Sequence, residues 1–146
     1  MKKLLMTLAV VFFGMTYASA QENPNAPVMT FESTVMDYGT IEQDANGVRV
    51  FEFTNTGKEP LIISNLRGSC GCTVPDQSIV NKPIAPGESA EIKVRYDTHR
   101  VGRFQKSVTV TSNASQGTIV LTIKGNVRQA QTTPVNENTP TSRVSR

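Results

Sequence analysis

From Glu88 to Thr98 apolar and charged residues alternate without interruption. Ala90, Ile92, Val94 and Tyr96 occupy one parity; Glu91, Lys93, Arg95 and Asp97 occupy the other. A period of two puts these sets on opposite faces of an extended strand, one face for a core and one for water. Ile119, Leu121 and Ile123 repeat the pattern against Thr122 and Lys124. Phe104, Val108 and Val110 share a parity with Lys106, which predicts a lysine with a buried stem or a local bulge. The adjacent pair Val50-Phe51 breaks the phase of the run Val48 to Thr54, and Leu61, Ile63 and Leu66 slip in the same way. A bulge, or cover on both faces, accounts for either break. Turn signals separate the runs: Asn55-Thr56-Gly57, Pro86-Gly87, Val101-Gly102 and Ser115-Gln116-Gly117. Six or seven such strands in about 100 residues predict an all-β, immunoglobulin-like β-sandwich of about seven strands. The chain has no tryptophan, and its two cysteines are two positions apart. The antibody version of that fold is therefore excluded.

The N-terminus reads as an export signal. Lys2 and Lys3 precede an apolar run from Leu4 to Met15, and Ala18-Ser19-Ala20 gives the small-x-small pattern for cleavage. The run is shorter than the roughly 20 residues needed to span a bilayer. No cysteine follows it, so no lipid attachment is expected. The expectation is a signal peptide at 1–20, cleavage after Ala20, and a periplasmic or secreted mature chain starting at Gln21. Losing Lys2 and Lys3 leaves 13 basic residues against 12 acidic, so the formal charge falls from +3 to +1. That balance gives no support for a nucleic-acid or anionic-lipid surface.

The mature length suits one domain. Residues 21–27 (QENPNAP) read as a polar linker. After Val127 the chain turns to Thr, Asn, Gln and Pro with two valines to bury, so 128–146 is expected to be a disordered tail. The folded unit is placed at 28–127.

Several blocks occur in a recognisable order: Asp37-Tyr38-Gly39-Thr40-Ile41, Phe51-Glu52-Phe53-Thr54-Asn55-Thr56-Gly57, Pro60-Leu61-Ile62-Ile63 and Ser69-Cys70-Gly71-Cys72-Thr73. Pro86-Gly87, Tyr96-Asp97, Gly102-Arg103-Phe104 and Ser112-Asn113 continue them. With these blocks the chain resembles the secreted bacterial domain-of-unknown-function family numbered 1573 over most of Phe31 to Val127. The resemblance implies an immunoglobulin-like fold related to major-sperm-protein and hydin-like modules. It implies no activity.

Cys70 and Cys72 are the chemical candidates. A disulfide between them is sterically open because Gly71 tolerates unusual backbone angles. It would close a three-residue loop, worth only about 1.6 kcal/mol by chain entropy before strain is subtracted. Stability alone is thus a weak reason for the pair. Thiol redox chemistry or a soft metal, Cu or Zn held by two thiolates, is the alternative. A metal would need more ligands, and beyond residue 20 the chain offers one histidine, His99, beside Arg100 and near Arg103, and two methionines, Met29 and Met36. His99 reads as a loop residue. Asp37, Asp44, Asp76 and Asp97 read as turn formers, and Asn113-Ala114-Ser115 as a turn rather than a glycosylation site. No nucleophilic triad or phosphate loop is visible, and no cofactor is expected. Two functions remain. One is a non-catalytic periplasmic binding or adaptor module with a protein partner, using a sheet edge or the loop at Cys70–Thr73. The other is a thiol-redox or soft-metal handling protein.

Overall fold

The computed structural model describes residues 23–131. The expected signal peptide, its cleavage site and the tail beyond residue 131 lie outside the described residues. Among the described residues, nine strands form two packed sheets. In chain order they are β1 (Met29–Phe31), β2 (Val35–Glu42), β3 (Val48–Asn55), β4 (Leu61–Gly68), β5 (Thr73–Pro75), β6 (Pro83–Ile84), β7 (Ser89–Tyr96), β8 (Gly102–Ser112) and β9 (Thr118–Arg128). One sheet has the order β1-β3-β7-β5, the other β2-β9-β8-β4-β6. Every pair is antiparallel except β2 with β9, which run parallel.

Of the six strands of eight to eleven residues, five have a periodicity visible in the sequence; β2 does not, because its register breaks at Gly39 and only Tyr38 along it is buried. The other three have two or three residues, too few for alternation to register. In β7, Ile92, Val94 and Tyr96 are buried while Glu91, Lys93 and Arg95 are exposed. Opposite them the inner face carries Phe104, Val108 and Val110 of β8 and Leu121 and Ile123 of β9. Burial of these large side chains, worth roughly 1.5–3 kcal/mol each, is the main favourable contribution to the fold.

The phase breaks have separate causes. In β4 the register slips between Ile63 and Asn65, so Leu61, Ile63 and Leu66 all face the core across a bulge. β3 has no bulge, because it pairs residue by residue with β7 from Val48 to Thr54. Phe51 and Phe53 point inward, and Val50 is half-buried on the outer face. β8 likewise keeps register with β9 throughout, so Lys106 is a half-buried lysine within a regular strand. A further slip falls in β2 between Asp37 and Thr40. Gly39 sits there with φ +63°, and Asp37 Oδ1 accepts its N–H at 2.8 Å. That bond also holds the Asp37 carboxyl below its usual pKa range.

An aromatic cluster closes one end of the sandwich. Tyr96 stacks on Phe104 with centroids 3.8 Å apart, and Tyr38 meets Phe104 edge-on at 5.3 Å. The Arg49 guanidinium lies 4.3 Å over the Tyr38 ring, a favourable cation–π position. Tyr38 donates its hydroxyl to Gly47 O at 2.8 Å. Burial pushes the Tyr38 hydroxyl pKa up to about 12, against the opposing pull of Arg49. The β2–β3 loop is pinned to the same end, with Thr98 Oγ1 donating to Ala45 O at 2.8 Å. At the opposite chain margin, Pro27 is buried and its carbonyl accepts Ser115 N–H at 2.9 Å.

Candidate functional site

The Cys70–Cys72 segment is the crossover between the sheets. β4 ends at Gly68 in the five-stranded sheet, and β5 begins at Thr73 on the edge of the four-stranded one. Four residues therefore carry the chain from one layer to the other. Gly68 permits the close approach this needs, since a Cβ there would overlap the Thr73 carbonyl oxygen. Backbone bonds fix both ends of the loop. Ser69 N–H donates to Ser107 O at 2.9 Å, and Ser107 N–H returns a bond to Ser69 Oγ at 3.1 Å. Thr73 N–H donates to Cys70 O at 3.1 Å, and Asp97 N–H donates to Cys72 O at 2.9 Å.

Cys70 and Cys72 are joined as a disulfide with Cα atoms 5.2 Å apart. Cys72 is 6% exposed and belongs to the core, whereas Cys70 is half-buried and packs on its margin. The role expected for Gly71 is corrected here. Gly71 does not occupy the left-handed region, and a Cβ on it would meet nothing within 4 Å. The ring closes with no residue in the left-handed region, and what glycine supplies is an uncovered flank. A shallow pocket opens beside it, lined by Cys72, Val74, Arg95, Tyr96 and Asp97.

Thr73 was quoted in the motif without a role, and it is the residue that sequence reasoning missed. Its side chain is 2% exposed, and Oγ1 lies 3.6 Å from Cys70 Sγ and 3.8 Å from Cys72 Sγ. The signal was available as a hydroxyl residue directly after the second cysteine.

The other candidates are not gathered around the cysteines. His99 is exposed and pairs through Nδ1 with Asp44 Oδ1 on the β2–β3 loop. Asp97 accepts from His99 N–H at 3.2 Å and from Arg100 Nε at 3.2 Å, and its pKa is lowered chiefly by the first of these bonds. Met29 is buried in β1, and Met36 is half-buried in β2. Among the described residues, no group of three or more His, Cys, Asp or Glu side chains is placed to hold a metal ion. Also among the described residues, no helix is long and apolar enough to cross a membrane.

Because the ring is so small, replacing both cysteines by serine should leave the domain folded. The expected loss is at most about 2 kcal/mol, the small-loop entropy plus a modest packing loss at Cys72. Chemical denaturation of the double variant beside the oxidised parent measures it. Collapse of the fold would show that the crossover depends on the bond.

No curated protein matches the chain. A protein of unknown function from Porphyromonas gingivalis superposes with TM-score 0.60 at 18% identity, covering 76% of this chain and 51% of that one. The chain thus spans about half of that relative, 51% of its length. A PapD-like domain of human CEP192 gives TM-score 0.61 at 10% identity, covering 88% of this chain and 100% of that domain. SSP-19, an MSP-domain protein like family member of Caenorhabditis elegans, gives TM-score 0.51 at 11% identity, with coverages of 66% and 98%. At such identities the likeness is one of fold, and the fold is an immunoglobulin-like sandwich. The family described as "Protein of unknown function (DUF1573)" matches residues 29–127, from the first residue of β1 to the last buried residue of β9, and the chain belongs to that family.

Proposed function

We propose that the protein is a non-catalytic binding module of the periplasm that takes up an extended segment of a protein partner along the edge of β2. The observation that carries this reading is the contrast between β2 and the other sheet edges. β2 is eight residues long and, among the described residues, pairs only with β9. The edges at β1, β5 and β6 have three, three and two residues. They are also capped. The Gln116 amide bonds both the N–H and the C=O of Met29, each at 3.2 Å. Gln77 Nε2 donates to Leu66 O at 3.0 Å and Asn81 N–H to Ile63 O at 2.8 Å, which occupies β4 beyond the end of β6. Pro75 and Pro83 remove donors from β5 and β6. An open row of backbone donors and acceptors is a template for another strand. β2 carries local caps too, since Ser33 Oγ bonds both the N–H and the C=O of Val35, at 3.1 and 2.8 Å, and Asp37 Oδ1 takes the Gly39 N–H. Its length, not an uncapped row, sets this edge apart, and an incoming strand would displace the Ser33 hydroxyl beside the exposed Val35 side chain.

A photo-crosslinking residue at Val35 tests the reading in cells. It should trap a discrete protein adduct, whereas the same residue at Val120, exposed within the five-stranded sheet, should not. No adduct at Val35, or no more than at Val120, overturns the proposal. The periplasmic assignment rests on the leader sequence. N-terminal sequencing of the fractionated protein should find Gln21 first, and a chain retaining Met1 in the membrane fraction would remove it.

A further inference from the structure

We infer that the Cys70–Cys72 pair is a thiol–disulfide exchange site of fixed polarity, in which Cys70 is the sulfur attacked, Cys72 the leaving sulfur, and Thr73 the group that stabilises it. This stands apart from the β2 reading and rests on a different part of the molecule. Three observations carry it. Access is unequal: Cys70 is half-buried at the core margin beside the uncovered flank of Gly71, and Cys72 is 6% exposed. The loop is held by main-chain bonds that do not involve the sulfurs, at Ser69, Cys70, Cys72 and Thr73. The cysteines therefore stay close when the bond opens, and the reverse reaction needs no refolding. Finally, among the described residues the buried Thr73 hydroxyl has both sulfurs, and no oxygen or nitrogen, as its hydrogen-bond partners.

That last point fixes the chemistry. A disulfide sulfur is a poor acceptor, so in the oxidised form a buried hydroxyl is left with weak partners. A thiolate is a strong, charged acceptor for the same O–H. The site is consequently better satisfied once the S–S bond has opened, which favours departure of the thiolate. The co-reactant is a dithiol. One of its thiolates attacks Cys70 Sγ, forming a mixed disulfide and breaking the bond to Cys72. The electron pair leaves on Cys72 Sγ, where Thr73 Oγ1–H donates to it. The second thiol of the reductant then attacks its own sulfur in the mixed disulfide and releases Cys70. The dithiol is oxidised to a disulfide, and the pair gains two electrons and two protons.

The test uses the full mature chain with glutathione disulfide and dithiothreitol as probes, followed by intact mass. Cys72→Ser, which leaves Cys70 free, should form its glutathione adduct at least about tenfold faster than Cys70→Ser, the difference expected between an accessible and a buried thiol. In the otherwise native chain, Thr73→Val should slow reduction by dithiothreitol about tenfold and shift the glutathione equilibrium toward the disulfide, while Thr73→Ser restores both. Thermal melts of the oxidised variants verify that each is folded, and the valine variant's equilibrium shift separates thiolate stabilisation from mere packing. Equal adduct rates for the two single-cysteine variants would overturn the polarity. Reduction of Thr73→Val at the parent rate would overturn the role of the hydroxyl. A pair that resists dithiothreitol until the domain unfolds would overturn the exchange site altogether.

Discussion

Val94→Asp should cost the domain several kcal/mol and lower its melting midpoint steeply, and Glu91→Ala, three residues earlier on the same strand, should leave the melting curve almost unchanged. Val94 is fully buried in β7, between Arg49 of β3 and Pro75 of β5 in register, and faces the five-stranded sheet. Aspartate there loses the burial of a valine and places an unpaired carboxylate in the core. The combined cost is about 4 kcal/mol or more, against a total stability of roughly 5–15 kcal/mol for a domain of this kind. Glu91 lies on the outer face. Its pairing with Lys93 at 3.0 Å is solvent-exposed, and it sits directly across from Glu52 of β3. Like charges opposite each other on a sheet are unfavourable, which offsets the little that the lysine contributes. Thermal and urea denaturation of the two variants measure both effects. Equal shifts would mean that the inner face of β7 is wrongly assigned.

That contrast shows what was legible in the sequence. In β7 each side chain from Glu91 to Tyr96 is either in the core or in water, so the period of two is clear, and the sandwich follows from it and from β8 and β9. Phase breaks were visible but not their cause. Val50-Phe51 and Leu61…Leu66 look alike as strings, yet β3 is regular with a half-buried outer valine and β4 carries a bulge. The difference lies in the partner strand, which a local window does not contain. β5 and β6 were illegible for a simpler reason. They are held by what they join, not by their own pattern.

The candidate site was legible as composition and illegible as geometry. Two cysteines around a glycine mark the place, but the unusual backbone angles expected of Gly71 are not used, since its φ is not positive. The steric constraint sits three residues earlier, at Gly68, where backbone from the opposite sheet passes too close for a side chain. Nothing local announces that, because the obstructing atom belongs to Thr73 after the crossover. The hydroxyl of Thr73 is likewise defined only once the loop has closed around both sulfurs.

Asn55 was read as a turn residue, and the structure predicts a larger role for it. It is fully buried at the end of β3. Its Nδ2 donates to Glu59 O at 2.9 Å and to Ile84 O at 3.0 Å, and its Oδ1 accepts Gly57 N–H at 3.1 Å. One amide thereby ties β3 to the loop that launches β4 and to β6. Asn55→Ala should remove all three bonds and leave the Ile84 carbonyl buried without its side-chain donor, a loss of about 3 kcal/mol at roughly 1 kcal/mol per bond. Asn55→Asp should be at least as damaging, although it keeps the shape, because at neutral pH it turns a donor facing two carbonyl oxygens into a charged acceptor. Urea denaturation at neutral pH compares the two. A loss below about 1 kcal/mol in the alanine variant would show that water replaces the amide. An aspartate variant as stable as the parent would show that shape alone is required. The expected order, with aspartate no better than alanine, makes this amide the polar fastening at the start of β4, the strand that delivers the Cys70–Cys72 loop.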